Sequence, residues 1–452
     1  MQIPDSPPDF TQLMNDLMNN NPNLFNKLIR NNQLTDEKGR YLPWDELQYR
    51  EPPEGLTKEY WWLSLKLARN MMYTVLPINN LGKDKFKYNL TDKINRQLHN
   101  IDINASGSMT IENPILTPQM SNTYIISSLI EESITSSQLE GAATTRKIAK
   151  KMIQEGRKPK TRSEQMIFNN YIAMKFIGEI KNEKLTPELI RKIHKILTVN
   201  TLDNENNAGK YRSSEENIQV VDGTGLTLFT PPPAKQIQSR IKELCAFAND
   251  LSENKKFIHP VIQSILTHFL LSYIHPFIDG NGRTARALFY WSMLNKGYWV
   301  AEFISISNIL KKAPAKYGYS FLYTETDSND LTYFIDYQLD VIDRAIQEFK
   351  KYVTRKINEI QSIEKILRKN QKLKKALNSR QNSLIKHALR HPGYLYSIKE
   401  HQNIHGITYE TARKDLLLLS DEFDLFIKVK EGKSFKFISP MDLAERIEEK
   451  NQ

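Results

Sequence analysis

Apolar residues recur three and four positions apart along most of this chain, and that period predicts helices rather than sheets. Ile125, Leu129, Ile134 and Leu139 predict one helix over about 122–139, ended by Gly141 as a left-handed cap. Another starts at Thr186 as N-cap with Pro187 in its first position, and carries Ile190, Ile193, His194 and Leu197 on its apolar side. A long apolar run over 257–274, with Val261, Ile265, Leu266, Phe269 and Tyr273, predicts a buried helix, and 287–294 predicts its partner. Upstream, Pro52-Pro53 lead into a helix expected at about 57–75, where Trp61 and Trp62, with Trp44 before them, read as packing anchors. Strand patterns are short. Two β-rich runs within 217–229 around Asp222-Gly223 predict a hairpin ended by Pro231-Pro232-Pro233. Residues 425–429 and 435–438, joined by Glu431-Gly432-Lys433, predict a second. The expected fold class is mainly α.

The pattern breaks sharply between the two central runs, at His275-Pro276-Phe277-Ile278-Asp279-Gly280-Asn281-Gly282-Arg283-Thr284-Ala285-Arg286. Pro276 cannot continue the preceding helix, so the chain turns just after His275. Gly280, Asn281 and Gly282 tolerate positive φ, and their successive N–H groups can point into one concavity at a helix start, where anions are favoured. Arg283 and Arg286, three apart, lie on one face of the first turn. Together these features describe a polyphosphate site. His275 titrates near neutrality and can accept a proton from a hydroxyl. A carboxylate beside phosphates, Asp279, suits a hard cation such as Mg2+. Singly, each of these residues reads more simply as a turn glycine, a core histidine or a solvated charge. Eight such fixed positions together arise by chance at roughly one start in ten billion, which discards the simple reading.

This string resembles the signature of the Fic family, His-x-Phe-x-Asp/Glu-Gly-Asn-x-Arg-x-x-Arg, at every position. The resemblance implies a helical core that transfers AMP from ATP to a protein hydroxyl. It implies His275 as general base and Asp279 as the ligand of a Mg2+ ion bridging the α- and β-phosphates. Gly280, Asn281 and Gly282 would cradle the phosphates, Arg283 would hold the β-phosphate and Arg286 the γ-phosphate. Phe277 would anchor the loop in the core. The hairpin at 217–229 stands where that family has a flap that aligns a target peptide by strand addition. Lys316-Tyr317-Gly318-Tyr319-Ser320-Phe321-Leu322 resembles the segment that closes over adenosine, with Tyr319 as the expected base or ribose contact. The family often has an asparagine a few residues later, where this chain has Thr324 and Thr326.

Glu140 would sit at a helix C-terminus, where a carboxylate opposes the dipole. Taken alone it reads as a solvated acid. Ser136-Ser137-Gln138-Leu139-Glu140-Gly141 also resembles the Ser/Thr-x-x-x-Glu-Gly/Asn inhibitory motif of the same family, placed ahead of the core. That resemblance implies that Glu140 pairs with Arg286, held by Ser136 one turn earlier, and denies the γ-phosphate its partner.

Composition narrows the setting. Hydrophobic and charged residues at 40% and 25% are ordinary for a soluble protein. The single cysteine, Cys245, excludes an internal disulfide framework and fits a reducing compartment. No run approaches the about 18 apolar residues needed to span a membrane, and the polar, acidic start is unlike a signal peptide. A cytoplasmic protein without a membrane partner is expected. The formal charge of +11 is concentrated: residues 350–380 hold eleven Lys or Arg against Glu359 and Glu364. Ile357, Ile360, Ile363 and Leu367 keep a helical stripe there, so this is a basic amphipathic connector, equally a solvated joint or a phosphate contact. After it, helices around 384–389 and 408–419 with the 425–438 hairpin resemble a winged helix. Its second helix would expose Thr408, Tyr409, Thr411, Arg413 and Lys414 to DNA, or the unit would dock a protein or a second copy.

The expected organisation is thus an N-terminal helical region (1–120), a Fic domain with its inhibitory helix (121–345), a connector helix (346–380), a winged helix-turn-helix domain (381–440) and a C-terminal tail (441–452). The leading reading is an ATP- and Mg2+-dependent protein adenylyltransferase acting on a Ser, Thr or Tyr hydroxyl, its own included. Two alternatives stay open: a DNA-binding regulator that uses the core as a nucleotide sensor, and an enzyme acting mainly in AMP removal. The oligomeric state, monomer or homodimer, also stays open.

Overall fold

The computed structural model describes residues 2–29, 33–78, 85–105, 118–250, 256–369, 373, 376–431 and 434–449. Contacts divide the chain into two units, Met1–Phe349 and Lys350–Gln452. The first is built around two adjacent helices, Pro260–Ile274 and Asn281–Asn295. From Val261 to Ile274 every residue but Ser272 is buried, as a helix apolar on all sides must be. Its few polar groups are paired inside: Thr267 Oγ1 donates to Gln263 O (2.8 Å) and Ser264 Oγ to Ser292 Oγ (2.9 Å). The first helix starts at Pro260, after the expected 257, because His259 caps it and Pro260 fills its first position, leaving Phe257 exposed. Helices Arg162–Glu179, Pro187–Thr198 and Ile237–Ala248 surround the pair, and Thr186 caps the second of these by accepting from Leu189 N (3.1 Å). Cys245 is buried.

The helix ahead of the core spans Pro118–Leu139, four residues longer at its start than the periodicity predicts. Glu132 fixes it. This buried carboxylate accepts from Tyr290 OH (2.8 Å), Ser305 Oγ (2.8 Å), Ser307 N (3.1 Å) and Ser307 Oγ (2.5 Å), all on core segments. The predicted hairpin is present as Val220–Val221 and Thr227–Phe229, antiparallel, with an irregular register at Val220/Val221. The Asp222 carboxylate shapes its turn by accepting from Thr224 N (2.8 Å) and Leu226 N (3.1 Å), an Asx turn.

The N-terminal segments join this unit through buried charge. Helix Lys58–Met72 buries Trp61 and Trp62, and Trp44 packs edge-on against Trp62. Lys66 pairs with Asp327 (2.5 Å), Arg69 Nη1 donates to Tyr333 OH (3.1 Å), and Tyr41 OH and Tyr73 OH both donate to Asp330 Oδ2 (2.6 Å each). Residues 106–117 lie outside the described residues.

Helix Thr332–Lys369 runs on past 345, where the core's helix was expected to end, into the residues expected of the connector. No Gly or Pro occurs between its ends, so nothing in the chain stops it. Connector residues 370–372, 374 and 375 lie outside the described residues. The second unit continues with helices Ser379–Arg390, Ile398–His405 and Tyr409–Leu417, and a three-stranded antiparallel sheet in the order Leu395–Ser397, Ser434–Ile438, Ile427–Glu431. The strand at 395–397 was not expected. The strand predicted at 425–429 is shifted to Ile427–Glu431 because Leu425 and Phe426 enter the unit's core. Thr408, Tyr409, Arg413 and Lys414 are exposed and Thr411 is half-buried. Among the described residues no helix is long and apolar enough to cross a membrane.

Candidate active site

The loop between the two central helices is held from every side. His275 adopts a left-handed conformation (φ 47°), which ends the first helix and lets Pro276 follow. The Asn281 side chain then clasps the loop: its Oδ1 accepts from Phe277 N (2.9 Å) and its Nδ2 donates to Phe277 O (2.8 Å). Phe277 is fully buried, with the His194 ring stacked flat on it at 3.6 Å. His194 Nδ1 accepts from Gly209 N (2.9 Å), so its proton resides on Nε2, which donates to Asp279 O (2.8 Å). Burial pushes this imidazole down to about 4, and it stays neutral at pH 7. Gly280 has φ 80°, and a Cβ there would meet Thr198 Cγ2 at 2.7 Å, so only glycine fits. Arg212 completes the clasp, with its N donating to Pro276 O (2.9 Å) and its Nε to His275 O (2.9 Å).

A cavity of about 170 Å³ opens beside this loop. Its lining includes Glu140, His275, Gly282 and Arg286. His275 Nδ1 meets Ser272 O at 3.3 Å; a carbonyl only accepts, so the ring proton lies there and Nε2 carries a free lone pair. Burial lowers the His275 pKa and keeps the imidazole neutral. The Arg286 guanidinium is buried, and three of its hydrogen bonds run to one helix end: Nε to Ser136 Oγ (2.8 Å), Nη2 to Ser136 O (3.0 Å) and Nη2 to Glu140 Oε1 (2.9 Å); the Tyr317 hydroxyl is a further partner. The carboxylate lies so close to the start of the second central helix that a Cβ at Gly282 would overlap it.

The remaining candidates fall into two groups. Asp279, Gly280, Asn281 and Arg283 build the loop next to the cavity without lining it. Asp279 has a side chain 43% exposed, with Oδ2 3.3 Å from Arg283 Nη2. Arg283 is buried; its Nη1 donates to Leu197 O (3.2 Å), and its Nε has no partner among the described residues. Tyr319 stacks on Tyr323 and is not among the residues lining the cavity. Tyr317 lines it, its hydroxyl 2.8 Å from His268 Nε2. Thr324 and Thr326 also turn away, donating to Ser320 O (3.1 Å) and Leu322 O (2.8 Å). Sequence reasoning missed Arg212, Tyr317 and Glu132. His194 was expected as a packed histidine, and it also carries the loop.

No group of three or more His, Cys, Asp or Glu that could enclose a metal ion occurs among the described residues. The open Asp279 carboxylate still fits Mg2+, which is commonly held by one or two carboxylates with substrate phosphates and water.

Residues 184–293 match the profile of the Fic/DOC family. The chain is 34% identical over 131 residues to the protein adenylyltransferase Fic of Nematostella vectensis, covering 28% of this chain and 27% of that one. It is 36% identical over 70 residues to the protein adenylyltransferase fic-1 of Caenorhabditis elegans, covering 16% and 13%. The chain thus spans about a quarter or less of the length of these relatives. The crystal structure of a Fic family protein from Desulfovibrio desulfuricans G20 superposes with a TM-score of 0.52 at 18% identity, over 78% of this chain and 98% of that one, a likeness of fold.

Proposed function

With residues 184–293 a Fic/DOC-family domain, we propose that this chain transfers AMP from ATP to a protein hydroxyl and restrains itself through Glu140. The observation that carries this reading is a neutral His275, with its Nε2 lone pair free, sharing one cavity with a buried Arg286 whose partners are Glu140 and Ser136. The triphosphate lies at the N-terminus of the second central helix, where the N–H groups of Gly280, Asn281 and Gly282 and the cations of Arg283 and Arg286 favour anions. The target hydroxyl oxygen attacks the α-phosphorus as the bond to the bridging oxygen of the β-phosphate breaks and pyrophosphate leaves. The hydroxyl proton passes to His275 Nε2. Asp279 would hold Mg2+, which supplies charge neutralisation on the phosphates. The hairpin at 220–229 offers the target peptide a strand edge. While Glu140 occupies Arg286, the γ-phosphate lacks its partner.

The second unit is read as a winged helix that docks a protein, a second copy or DNA; the order helix, strand, two helices, two strands supports it. The lone buried Cys245 supports a reducing, cytoplasmic setting.

Label transfer from α-labelled ATP with Mg2+ tests the reading, with wild type, Glu140→Gly and the Glu140→Gly/His275→Ala double variant. Label on protein should be strongest in Glu140→Gly, by about 5- to 150-fold over wild type for an ordinary coupling of 1–3 kcal/mol, and absent in the double variant. If all three bind ATP and none transfers label, the sensor or AMP-removal reading replaces this one.

A further inference from the structure

The surface just after Glu140 carries charge that the fold does not use. Between Arg146 and Arg162 the chain has eight Lys or Arg against a single acid, Glu155. Four of the eight are paired: Arg146 with Glu131 (2.7 Å), Lys151 with Glu155 (3.7 Å), Arg157 with Glu164 (2.8 Å) and Arg162 with Asp203 (3.0 Å). Lys147, Lys150, Lys158 and Lys160 make no side-chain hydrogen bond or salt bridge among the described residues. Helix Arg146–Glu155 buries Ala149 and Met152, and at about 100° per residue Lys147, Lys150 and Lys151 fall on its opposite face. These charges run against the helix's own stability. Arg146 and Lys147 stand in a first turn without an acid, where cations oppose the helix dipole, and the last turn has Glu155 and no base. Lys147 also faces Lys150 and Lys151 at three- and four-residue spacing, where like charges repel.

The loop that follows is pinned. The buried Glu164 carboxylate accepts from Arg157 Nη1 (3.1 Å), Arg157 Nη2 (2.8 Å) and Lys160 N (2.7 Å), and Arg157 Nη1 also donates to Lys158 O (2.8 Å). Lys158 and Lys160 are thus exposed side chains on a fixed backbone.

We infer that this helix and loop form a docking surface for a nucleic-acid backbone. Lys147 and Lys151 are about 6 Å apart along the helix axis, and Lys158 and Lys160 are separated by up to about 7 Å of non-helical chain. Both spacings match every second phosphate of a strand that carries one charge per about 3.4 Å. Phosphates are held by exposed point charges and need no pocket, whereas a bound peptide is anchored by apolar side chains seated in pockets. The exposed large apolar side chain of this stretch is Ile148. The surface takes no part in the AMP chemistry, and the inference stands apart from it.

The test titrates the full chain against a labelled single-stranded oligonucleotide and its duplex by fluorescence anisotropy over a range of salt. Log affinity should fall with log salt at a slope of about −3, as neutralising four phosphates requires. Lys147→Gln/Lys150→Gln and Lys158→Gln/Lys160→Gln should each weaken binding about tenfold and flatten the slope by about 1.5, while the matching Lys→Arg pairs keep both. No binding at low salt overturns the inference. Equal binding by the parent and both Gln pairs also overturns it, and places the contact elsewhere, as on the basic helix past 350. A loss in one pair alone breaks the continuous surface, and poly-glutamate bound as tightly as the oligonucleotide assigns the surface to acidic protein segments instead. The four lysines make no polar contact that the fold depends on, so their replacement tests docking rather than folding.

Discussion

The motif loop and the helix end that meets Arg286 are built on opposite plans. The motif side is locked: Asn281 clasps both backbone groups of Phe277, His194 holds Asp279 O, and Arg212 holds His275 O and Pro276 O. Nearly all of these bonds join side chain to backbone, so the loop keeps its shape whether or not a ligand is present. The facing side meets the cavity through one helix end, and its polar grip on Arg286 comes from Ser136 and the Glu140 carboxylate. That carboxylate can leave without unseating its helix, because Glu132, two turns back, is bonded independently to Tyr290, Ser305 and Ser307. The groups proposed to react sit on a frame that is hard to deform, while the proposed restraint rests on a contact that is simple to remove.

The contrast can be broken at three strengths. Asn281→Ala leaves the N–H and C=O of Phe277 unpaired in a buried loop, and should lower unfolding stability by about 3 kcal/mol, read by denaturant titration. Acid attacks the same locked side. His194 is neutral in the fold down to about pH 4, whereas an unfolded histidine takes its proton near 6.5. The unfolded state therefore binds more protons in that window, and stability is full above 6.5 and lost as pH falls toward 4. Between pH 7 and 5 the expected loss from this group is about 2 kcal/mol, removed in a His194→Asn variant. Ser136→Ala removes one buried hydrogen bond to Arg286 and leaves Glu140 in place. It should raise label transfer only a few-fold, for about 1 kcal/mol, well short of Glu140→Gly. Equal activation by the two variants would contradict the plan described for this side.

The motif loop was legible because its residues are contiguous, and a turn chemistry of Pro, Gly and Asn can be read locally. So were the caps at Thr186 and Gly141 and the hairpin around Asp222. Glu140 and Arg286 are 146 positions apart and 2.9 Å apart in the fold, a meeting that the family resemblance suggested and that spacing alone could not. Tyr317 and Tyr319 show a different limit. Two residues apart on a helix, they point about 200° apart, and a string of letters does not say which side faces the cavity. Glu132 was invisible for the same reason, since an acid's burial is a tertiary property. The helix Thr332–Lys369 ran past its expected end because an amphipathic period that continues carries no mark of where one unit stops.

The salt bridge of Lys66 with Asp327, and the two tyrosines on Asp330, bear on where the first unit begins. At Asp327 the chain has buried an anion whose counter-ion comes from 261 residues upstream. A piece begun at 121 would strip Lys66 from Asp327 and Tyr41 and Tyr73 from Asp330, leaving these acids with Tyr333 and Thr332 alone, at a cost of several kcal/mol for the broken buried ion pair. The smallest portable unit therefore includes the segments from Tyr41 to Tyr73. These N-terminal segments are thus a structural part of the first unit, matched to its buried acids.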